Sequence, residues 1–395
     1  MATAGIICEY NPFHIGHAGH IEKTRKIIGE GCAIVCVMSG NFVQRGDFAV
    51  FNKHARAKMA ILGGADLVIE LPTPYSLSSA EGFATAGVHL LDSLGICEYI
   101  SFGSEAGDIG ALSEAASALV SNEAVIQLKE GLKCGLPYAS AQQKAADAVL
   151  KERSVILQSP NNLLGIEYIK AIAKLKSKIR PVTVLRTGDG HNSDTGLSAA
   201  SLRKKLLRHQ EPWEAVPYSA AMVGIGEIAA GRGPVSIKSC ELAMLSRLRM
   251  IKDFSGFPGV SEGLDNRLVR YASSEPTVAA ILEKTKTKRY SMSRIRRLVM
   301  CACLGITAAD TKEPPSYARV LAMNATGMKL LRGAHEKSRL PVITKPASVH
   351  NLSEQAKKMF AKESEATDFY VLAYPDESKR AGGQEWRLSP IVVGN

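Results

Sequence analysis

Three histidines near the amino terminus have the residue type and spacing of a phosphate-binding site. His14, His17 and His20 fall three residues apart, which places their side chains on roughly one face of a helix. The first turn of a helix carries unpaired N–H groups and the positive end of the helix dipole, and both attract anions. Imidazoles there can donate hydrogen bonds to phosphate oxygens, and Gly16 lets a flat base or ribose approach the backbone. The pattern favours phosphate binding over three unrelated surface or core histidines.

A short apolar run and a turn precede these histidines. Residues 5–8 are typical of a buried strand. Pro12 fixes its own φ and disfavours helical backbone at Asn11, so these two residues predict a turn and a helix that begins near His14. This order, with H-x-G-H at the first helical turn, resembles the HIGH-motif nucleotidyltransferase superfamily. The resemblance implies ATP binding at this corner and transfer or attachment of AMP.

Apolar strands and helices alternate along the first half of the chain. The sequence predicts strands at 3–8, 32–38, 66–71, 99–103 and 181–186, and helices at about 15–29, 53–63, 77–94, 109–131, 162–177 and 199–209. Such alternation indicates an α/β fold with a doubly wound parallel sheet, whose ligands lie at the carboxyl ends of the strands. We expect an ATP-binding catalytic domain at 1–211, followed by a mainly helical basic domain at 212–395.

Several polar residues follow the ends of the predicted strands. Lys53 and Arg56 lie one helical turn apart after the second strand, and solvation of a helix is their commonest use. Their position facing the histidine turn favours binding of an anion or substrate instead. Gly103 leaves room for adenine or ribose, although a plain turn glycine fits the spacing nearly as well. The loop at 187–191 follows the last of these strands.

Two helix starts extend the candidate nucleotide site. A helix opens at Asn161-Asn162, and capping does not require both residues, so one of them can reach the nucleotide. The segment 198–203 ends in Arg203 and is similar to the serine-rich phosphate motif of HIGH nucleotidyltransferases. There Ser201 and the helix N–H groups are expected to hold the β and γ phosphates, and a simple cap at Ser198 is the alternative.

Basic residues concentrate in the second half. The net charge is +11 overall, with 22 Lys and Arg against 19 Asp and Glu in residues 1–210, and 27 against 19 in residues 211–395. Residues 284–297 hold seven Lys and Arg, with Tyr290 among them to stack on a base. This combination favours binding of RNA over a merely solvated basic helix.

The remaining composition is that of an ordinary globular protein. The eight cysteines lack the pairing of a zinc ribbon, and Cys8, Cys32 and Cys36 lie in apolar strand-like runs, so we expect reduced, buried thiols. No signal segment opens the chain and no apolar run reaches about 18 residues. We therefore expect a cytoplasmic protein with no membrane partner. The chain also lacks the P-loop pattern and the G-x-S-x-G nucleophile elbow.

Several separated blocks together resemble the bacterial tRNA(Met) cytidine acetate ligase family, from the amino terminus to at least Leu331. They are GIICEYNPFHIGHAGH, VMSGNFVQRGDFAVFNKHARAKMAILGGADLVIELP, ISFGSE, SPNNLLGIEYIKAI, LDNRL and KTKRYSMSRIRRL. The resemblance implies that ATP activates acetate as acetyl-AMP, which acetylates the wobble cytidine of elongator tRNA(Met). It implies ATP binding by Ile7, Cys8, Glu9, Tyr10, Asn11, Pro12, Phe13, His14, Ile15, Gly16, His17, His20, Gly103, Asn162 and Arg186. The chain departs mildly from the family pattern at 187–191 and at 198–203.

Acetate is already ionised at neutral pH, so its attack on the α-phosphate needs no general base. We assign His14 and His17 to the charge that develops on the α and β phosphates, and Lys53 or Arg56 to the charge of acetate or the departing phosphates. Mg2+ is expected on the phosphates, with no protein ligand to a metal assigned.

Two other functions fit parts of the sequence. One is an adenylyltransferase that acts on a phosphorylated small molecule, which leaves the basic second half without a role. The other is a non-catalytic RNA-binding protein, which leaves the histidine turn without one. The oligomeric state and the acetate pocket stay open.

Overall fold

A mixed sheet forms the centre of the molecule. The computed structural model describes residues 1–186, 198–261 and 263–394. The strands are β1 (Thr3–Cys8), β2 (Ala33–Ser39), β3 (Phe42–Val43), β4 (Asp47–Phe48), β5 (Leu67–Leu71), β6 (Tyr99–Ser104), β7 (Arg180–Leu185), β8 (Ala318–Met323), β9 (Val342–Ile343) and β10 (Ile391–Val392). Every residue of β2 and β5 is buried, as expected for strands covered on both faces.

The strand order in the main sheet is β10-β8-β5-β2-β1-β6-β7, with β9 paired to β8. Strands β1, β2, β5, β6 and β7 are mutually parallel, so their carboxyl ends meet at one edge. In this register Cys8 lies beside Met38, and Gly103 beside Val184. Strand β8 runs antiparallel to β5. The short strands β3 and β4 pair as a separate hairpin.

Helices surround this sheet. They are α1 (Ile15–Ile28), α2 (Lys53–Leu62), α3 (Thr73–Ser76), α4 (Ala80–Ser93), α5 (Ile109–Leu119), α6 (Asn122–Lys133), α7 (Tyr138–Leu150), α8 (Pro160–Lys174), α9 (Ala199–Leu206), α10 (Tyr218–Ala229), α11 (Glu241–Met250), α12 (Leu264–Ser274), α13 (Val278–Thr285), α14 (Met292–Leu304), α15 (Ala325–Lys337) and α16 (Glu354–Val371). Short 3-10 turns lie at Lys151–Gln158, Trp213–Ala215, Ile237–Cys240, Ala308–Thr311, Pro346–Asn351 and Glu377–Lys379. In the part of the chain that the structure describes, none of these helices is long and apolar enough to cross a membrane.

Alternate residues of the strands pack into separate apolar cores on the two faces of the sheet. Val35 and Val37 pack on one face with residues of α4, α5 and α8, whereas Ile34 and Cys36 pack on the other face with residues of α1 and α2. The predicted α/β fold with a doubly wound sheet is therefore confirmed. All eight cysteines are free, and five of them, including Cys32 and Cys36, are buried as predicted. The prediction is wrong for Cys8 and Cys97, which are half-buried, and for Cys134, which is exposed.

The predicted strands of the first half are confirmed to within about one residue, but two predicted helices are wrong in extent. The helix predicted at 109–131 is divided because Ser121 caps a new helix, its side chain accepting from the Ala124 N–H at 3.2 Å. The helix predicted at 77–94 begins later, at Ala80, because Ser79 caps α4 and accepts from the Gly82 N–H at 3.3 Å. Helix α7 follows without having been predicted.

The second half contributes both helices and strands. Helices α11 to α14 pack around their own apolar cluster, which also includes Phe42 and Phe48 of the β3–β4 hairpin. Strands β8 and β10, however, belong to the main sheet. The sheet thus draws on both sides of residue 211, and the two-domain division at 211/212 stays a prediction.

Candidate active site

The turn between β1 and α1 is held by hydrogen bonds to distant parts of the chain. Asn11 Oδ1 accepts from the Val50 N–H at 2.7 Å. The Asn11 carbonyl accepts from Arg203 Nη1 at 2.7 Å, and the Glu9 carbonyl accepts from the Arg56 guanidinium. Bonds from both sides fix the path of the backbone as it enters α1.

A wall of aromatic rings supports the same turn. Tyr10 has φ +44°, a left-handed conformation that costs a non-glycine residue about 1 kcal/mol. Its buried ring lies 4.9 Å from the Phe13 ring and 4.7 Å from the His17 ring, centroid to centroid. These contacts hold the strained residue in place and pack one side of the His17 imidazole.

The first turn of α1 is capped by two imidazoles. His14 is the N-cap residue, and its Nδ1 accepts from the Gly16 N–H at 3.0 Å. His17 Nδ1 accepts in turn from the His14 N–H at 3.3 Å, so the pair forms a reciprocal capping box. Because both Nδ1 atoms accept, each neutral ring carries its proton on Nε2, and that atom is a hydrogen-bond donor. The side chains predicted to meet phosphate are therefore oriented by the helix they cap.

Gly16 has a use that the sequence did not indicate. A Cβ at this position would lie 2.8 Å from His14 Cε1 and 3.1 Å from His14 Nδ1, so a side chain there would displace the capping ring. The glycine therefore leaves room for His14. The approach of a base or ribose to Gly16 stays a prediction.

The histidine cluster is electrically neutral at neutral pH. Burial lowers the pKa of His14 to about 4, assisted by the charges of Arg186 and Arg203. Burial also lowers the pKa of His17 well below its usual range, with smaller contributions from His14, His20 and Arg186. The site thus presents neutral N–H donors beside two permanently charged guanidinium groups.

His20 occupies a different place from the other two histidines. Its Nε2 lies 3.0 Å from Ser101 Oγ, which in turn lies 2.7 Å from Thr24 Oγ1. Burial, followed by the charges of Arg186 and Lys23, lowers the pKa of His20 to about 4. His20 therefore ties α1 to β6 through a neutral hydrogen-bond network, and its Nε2 is already engaged.

Arg186 lies at the carboxyl end of β7, directly against Gly103. Its backbone N–H donates to the Ser104 carbonyl at 2.9 Å, and a Cβ on Gly103 would lie 3.0 Å from Arg186 Cγ. Since Arg186 also lowers the pKa of His14, His17 and His20, the structure brings this predicted cation to the histidines. Gly103 makes room for the arginine. The predicted loop 187–191 lies outside the described residues.

Helix α9 brings Arg203 to the turn. Ser198 caps this helix and accepts from the Ser201 N–H at 3.2 Å. Arg203 is half-buried, and burial lowers its pKa despite the neighbouring carboxylates of Glu9 and Asp47. The structure therefore places the start of α9, with Ser201, and Arg203 next to the histidine turn.

Asn162 is held by hydrogen bonds within the protein. Its Oδ1 accepts from the Ala106 N–H at 3.0 Å, and its Nδ2 donates to the Ile156 carbonyl at 3.1 Å. Its own backbone N–H donates to Glu105 Oε2 at 3.1 Å. Asn162 thus shapes the loop after β6 through these bonds. Its Nδ2 carries a second N–H, and its contact with the nucleotide stays a prediction.

The other members of the predicted ATP-binding segment build the walls of the turn. Ile7 packs in the core, and Phe13 is completely buried against Gly63, where a Cβ would lie 2.2 Å from the Phe13 ring. Pro12 is buried, Cys8 is half-buried and Ile15 is exposed. Glu9 Oε1 accepts from the Gln44 N–H at 2.7 Å.

Lys53 lies in a buried cluster of charges. Its Nζ is 2.6 Å from Glu70 Oε1, 2.6 Å from Glu385 Oε1 and 3.9 Å from Glu363 Oε2. Arg319 also contacts Glu385. Burial, followed by the negative charge of Glu70, raises the pKa of Glu363 to about 8. The Lys53 side chain is 1 % exposed and already neutralised, so its geometry supports a structural role and not the predicted contact with acetate.

Arg56 is likewise committed to the protein. Its Nε donates to the Phe51 carbonyl at 3.0 Å, and its Nη2 donates to the carbonyls of Ser39, at 3.0 Å, and Gly40. Together with the bond to Glu9, these contacts use the guanidinium to tie β2 and α2 to the histidine turn. Arg56 therefore holds the histidine turn in place through hydrogen bonds to the backbone.

Only part of this charge cluster had a signal in the sequence. Glu70 and Arg319 interrupt apolar strands, and a charge inside a buried strand needs a partner. Glu385 lies in an irregular segment with no such pattern. Tyr290 also differs from expectation, because the ring predicted to stack on RNA is 4 % exposed and its hydroxyl donates to the Ser261 carbonyl at 3.1 Å.

Within the described ranges, no group of three or more His, Cys, Asp and Glu side chains could hold a metal ion. Mg2+ carried on phosphates stays a prediction.

Comparisons with known proteins agree with this fold. The family described as HIGH Nucleotidyl Transferase matches residues 1–385. The chain is 38% identical over 420 residues to the tRNA(Met) cytidine acetate ligase of Acetivibrio thermocellus, and 36% identical over 424 residues to that of Thermosipho africanus, with 100% of each chain covered.

Solved structures show the same relationship. Thermotoga maritima TmcAL bound with alpha-thio ATP superposes with a TM-score of 0.91, and its apo form with a TM-score of 0.95. Both are 31% identical and cover 100% of each chain. The parallel sheet, the capped histidine turn and these matches define a HIGH nucleotidyltransferase. Within that class, the chain belongs to the tRNA(Met) cytidine acetate ligase family.

Proposed function

We propose that this protein uses ATP to activate acetate as acetyl-AMP, and that it then acetylates the wobble cytidine of elongator tRNA(Met). The observation that carries the proposal is the histidine pair of α1, whose Nε2–H donors lie beside Arg186 and Arg203. The full-length relatives at 36–38% identity bear the ligase name, and a structural relative was crystallised with an ATP analogue.

In the first step, an acetate oxygen forms a bond to the α-phosphorus of ATP while the bond to the bridging oxygen of pyrophosphate breaks. Acetate is ionised at neutral pH and has no proton to lose. His14 and His17 donate through Nε2 to the phosphate oxygens on which charge develops, and Arg186 and Arg203 offset the charge of the departing pyrophosphate. Donors fixed by a helix cap need little reorganisation as the charge grows.

The neutrality of the imidazoles suits this step. Charged histidines beside two arginines would repel one another in the absence of ATP. The lowered pKa of each ring keeps the histidines neutral and removes this repulsion. The rings thus serve as hydrogen-bond donors, while the two guanidinium groups supply the positive charge. Lys53 and Arg56 hold the surrounding elements and do not touch acetate in this assignment.

In the second step, the exocyclic amine of cytidine attacks the acetyl carbon, AMP leaves, and the amine loses a proton. The basic segment 284–297 supports this choice of acceptor. The exposed lysines of this segment are Lys284, in the last turn of α13, and Lys286 and Lys288, between α13 and α14. Arg294 is used within the protein, since it donates to the Gly259 carbonyl at 2.9 Å and to Ser261 Oγ at 2.7 Å. The exposed lysines are the groups we assign to the RNA backbone.

Exchange of labelled pyrophosphate into ATP tests the first step, measured with and without acetate and with and without tRNA(Met). Exchange that requires acetate supports carboxylate adenylation. Absence of exchange under all four conditions contradicts the proposal, and AMP transfer to a phosphorylated small molecule would then be tested. A second assay follows labelled acetate into tRNA(Met), with a transcript whose wobble cytidine is replaced by uridine as the matched control.

A further inference from the structure

The β3–β4 hairpin, residues 42–48, lies between the candidate adenylation site and helix α14. On one side, the Gln44 N–H donates to Glu9 Oε1 at 2.7 Å, and Glu9 belongs to the histidine turn. On the other side, Gly46 lies against the backbone of α14. This hairpin therefore joins the turn that we assign to ATP with the helix that begins next to the exposed lysines.

The contact at Gly46 is backbone to backbone. Gly46 has φ +72°, and a Cβ there would lie 2.4 Å from both Arg296 C and Arg297 N. Neither atom is the end of a flexible side chain, so any larger residue would push the hairpin away from α14. The separation of these two elements thus depends on the absence of one side chain.

The charges around the hairpin are unbalanced. Arg45 at its tip is exposed, and it has no hydrogen bond or ion pair among the residues that the structure describes. It repels Arg203, and the half-buried Asp47 lies near Arg203 and near Arg296 of α14. Arg296 Nε is buried and lacks a hydrogen-bond partner within the described ranges. Three arginines around two carboxylates, Asp47 and Glu9, still leave a net positive charge that an anion can neutralise.

We propose that the β3–β4 hairpin positions the RNA for acetyl transfer. Gly46 seats the hairpin on α14, and Arg45 at its tip binds an RNA phosphate close to the adenylate. This inference rests on the proposed function and adds the element that links its two steps. RNA held by the exposed lysines that precede α14 is thereby kept at a fixed distance from the acetyl group formed at the histidine turn.

The test compares two rates in the full-length protein. One is acetate-dependent pyrophosphate exchange, and the other is single-turnover transfer of labelled acetyl to tRNA(Met) from acetyl-adenylate formed in situ. Gly46→Ala and Arg45→Ala are each expected to lower the ratio of transfer to exchange at least tenfold. A thermal melt accompanies each variant, and Arg45→Ala keeps the test valid if Gly46→Ala does not fold.

Matched controls separate positioning from backbone strain and lost charge. Gly135→Ala has nearly the same left-handed backbone, φ +79°, with nothing within 4 Å of the new Cβ. Arg332→Ala removes an exposed charge from α15. Both should keep the wild-type ratio. If Arg45→Ala keeps the ratio within threefold of wild type, or lowers both rates equally, the inference is overturned. A wild-type protein without acetate-dependent exchange instead overturns the proposed function.

Discussion

His17 Nδ1 accepts a hydrogen bond from the backbone N–H of His14, and the centroids of the two rings are 3.8 Å apart. A ring that caps a helix through Nδ1 cannot rotate freely, so its Nε2 keeps one direction. The two Nε2 donors therefore form a fixed pair, as required of groups that act on a short-lived charge.

His17→Ala should lower turnover in the exchange assay about 100- to 1,000-fold, as removal of a single transition-state donor typically does. The dissociation constant for ATP should change far less, because the donor acts mainly on charge that develops during reaction. Turnover and equilibrium ATP binding are both measured, with the exposed His335→Ala as control. Equal losses in both quantities would assign His17 to ground-state binding.

His14→Asn should reduce the acid sensitivity of folding. The pKa of His14 is about 4 in the folded protein, below the ordinary value of 6.5, so the unfolded chain binds the extra proton first. Its contribution to the free energy of unfolding is present above pH 6.5 and is lost as the pH falls through about 4. Asparagine also accepts at an N-cap but does not titrate. Denaturant unfolding between pH 7 and 4 should show a shallower loss in this variant, and an unchanged slope would refute it.

Lys53→Met should destabilise the protein by about 3–5 kcal/mol, because it leaves Glu70 and Glu385 buried without their shared cation. Chemical unfolding measures the change, and the exposed Lys358→Met should lie within about 0.5 kcal/mol of wild type. Adding Glu70→Gln to Lys53→Met should restore part of the loss. A stable Lys53→Met variant that has lost only acetate-dependent exchange would return Lys53 to the acetate site.

Lys286→Ala and Lys288→Ala should weaken tRNA binding through lost phosphate contacts. Each change should reduce the magnitude of the slope of log affinity against log salt by about 0.7–0.9, with no change in acetate-dependent exchange. Filter binding over a salt series measures the slope, and Lys129→Ala on α6 removes an equally exposed charge elsewhere. Slopes identical to wild type for both variants would place the RNA on another surface.

Local patterns were sufficient to predict the elements that hold the histidines. Short apolar strands, the Asn11-Pro12 turn and the H-x-G-H spacing all act over a few residues, and the structure has β1, the turn and α1 where they predict them. The partners of Lys53 could not be predicted in this way. Glu385 is 332 residues away in sequence, and nothing near Lys53 signals that the chain returns to bury it.

Residue type alone also does not show which side chains are available to bind a ligand. Tyr290 has the chemistry to stack on a base, but its ring is buried and its hydroxyl donates to the Ser261 carbonyl. Composition tells which groups can form hydrogen bonds, whereas only the packed structure tells which of them are still free.

Strand β8 has a consequence for how the protein is made. It pairs with β5, so during synthesis residues 67–71 have no partner on that side until residues 318–323 have been made. At about 5–20 residues per second, the ribosome needs on the order of tens of seconds to supply the missing strand. During that time β5 is an unprotected edge of an apolar sheet. A fragment that ends at residue 211 retains this edge permanently, so we expect it to aggregate although it carries every histidine of the site.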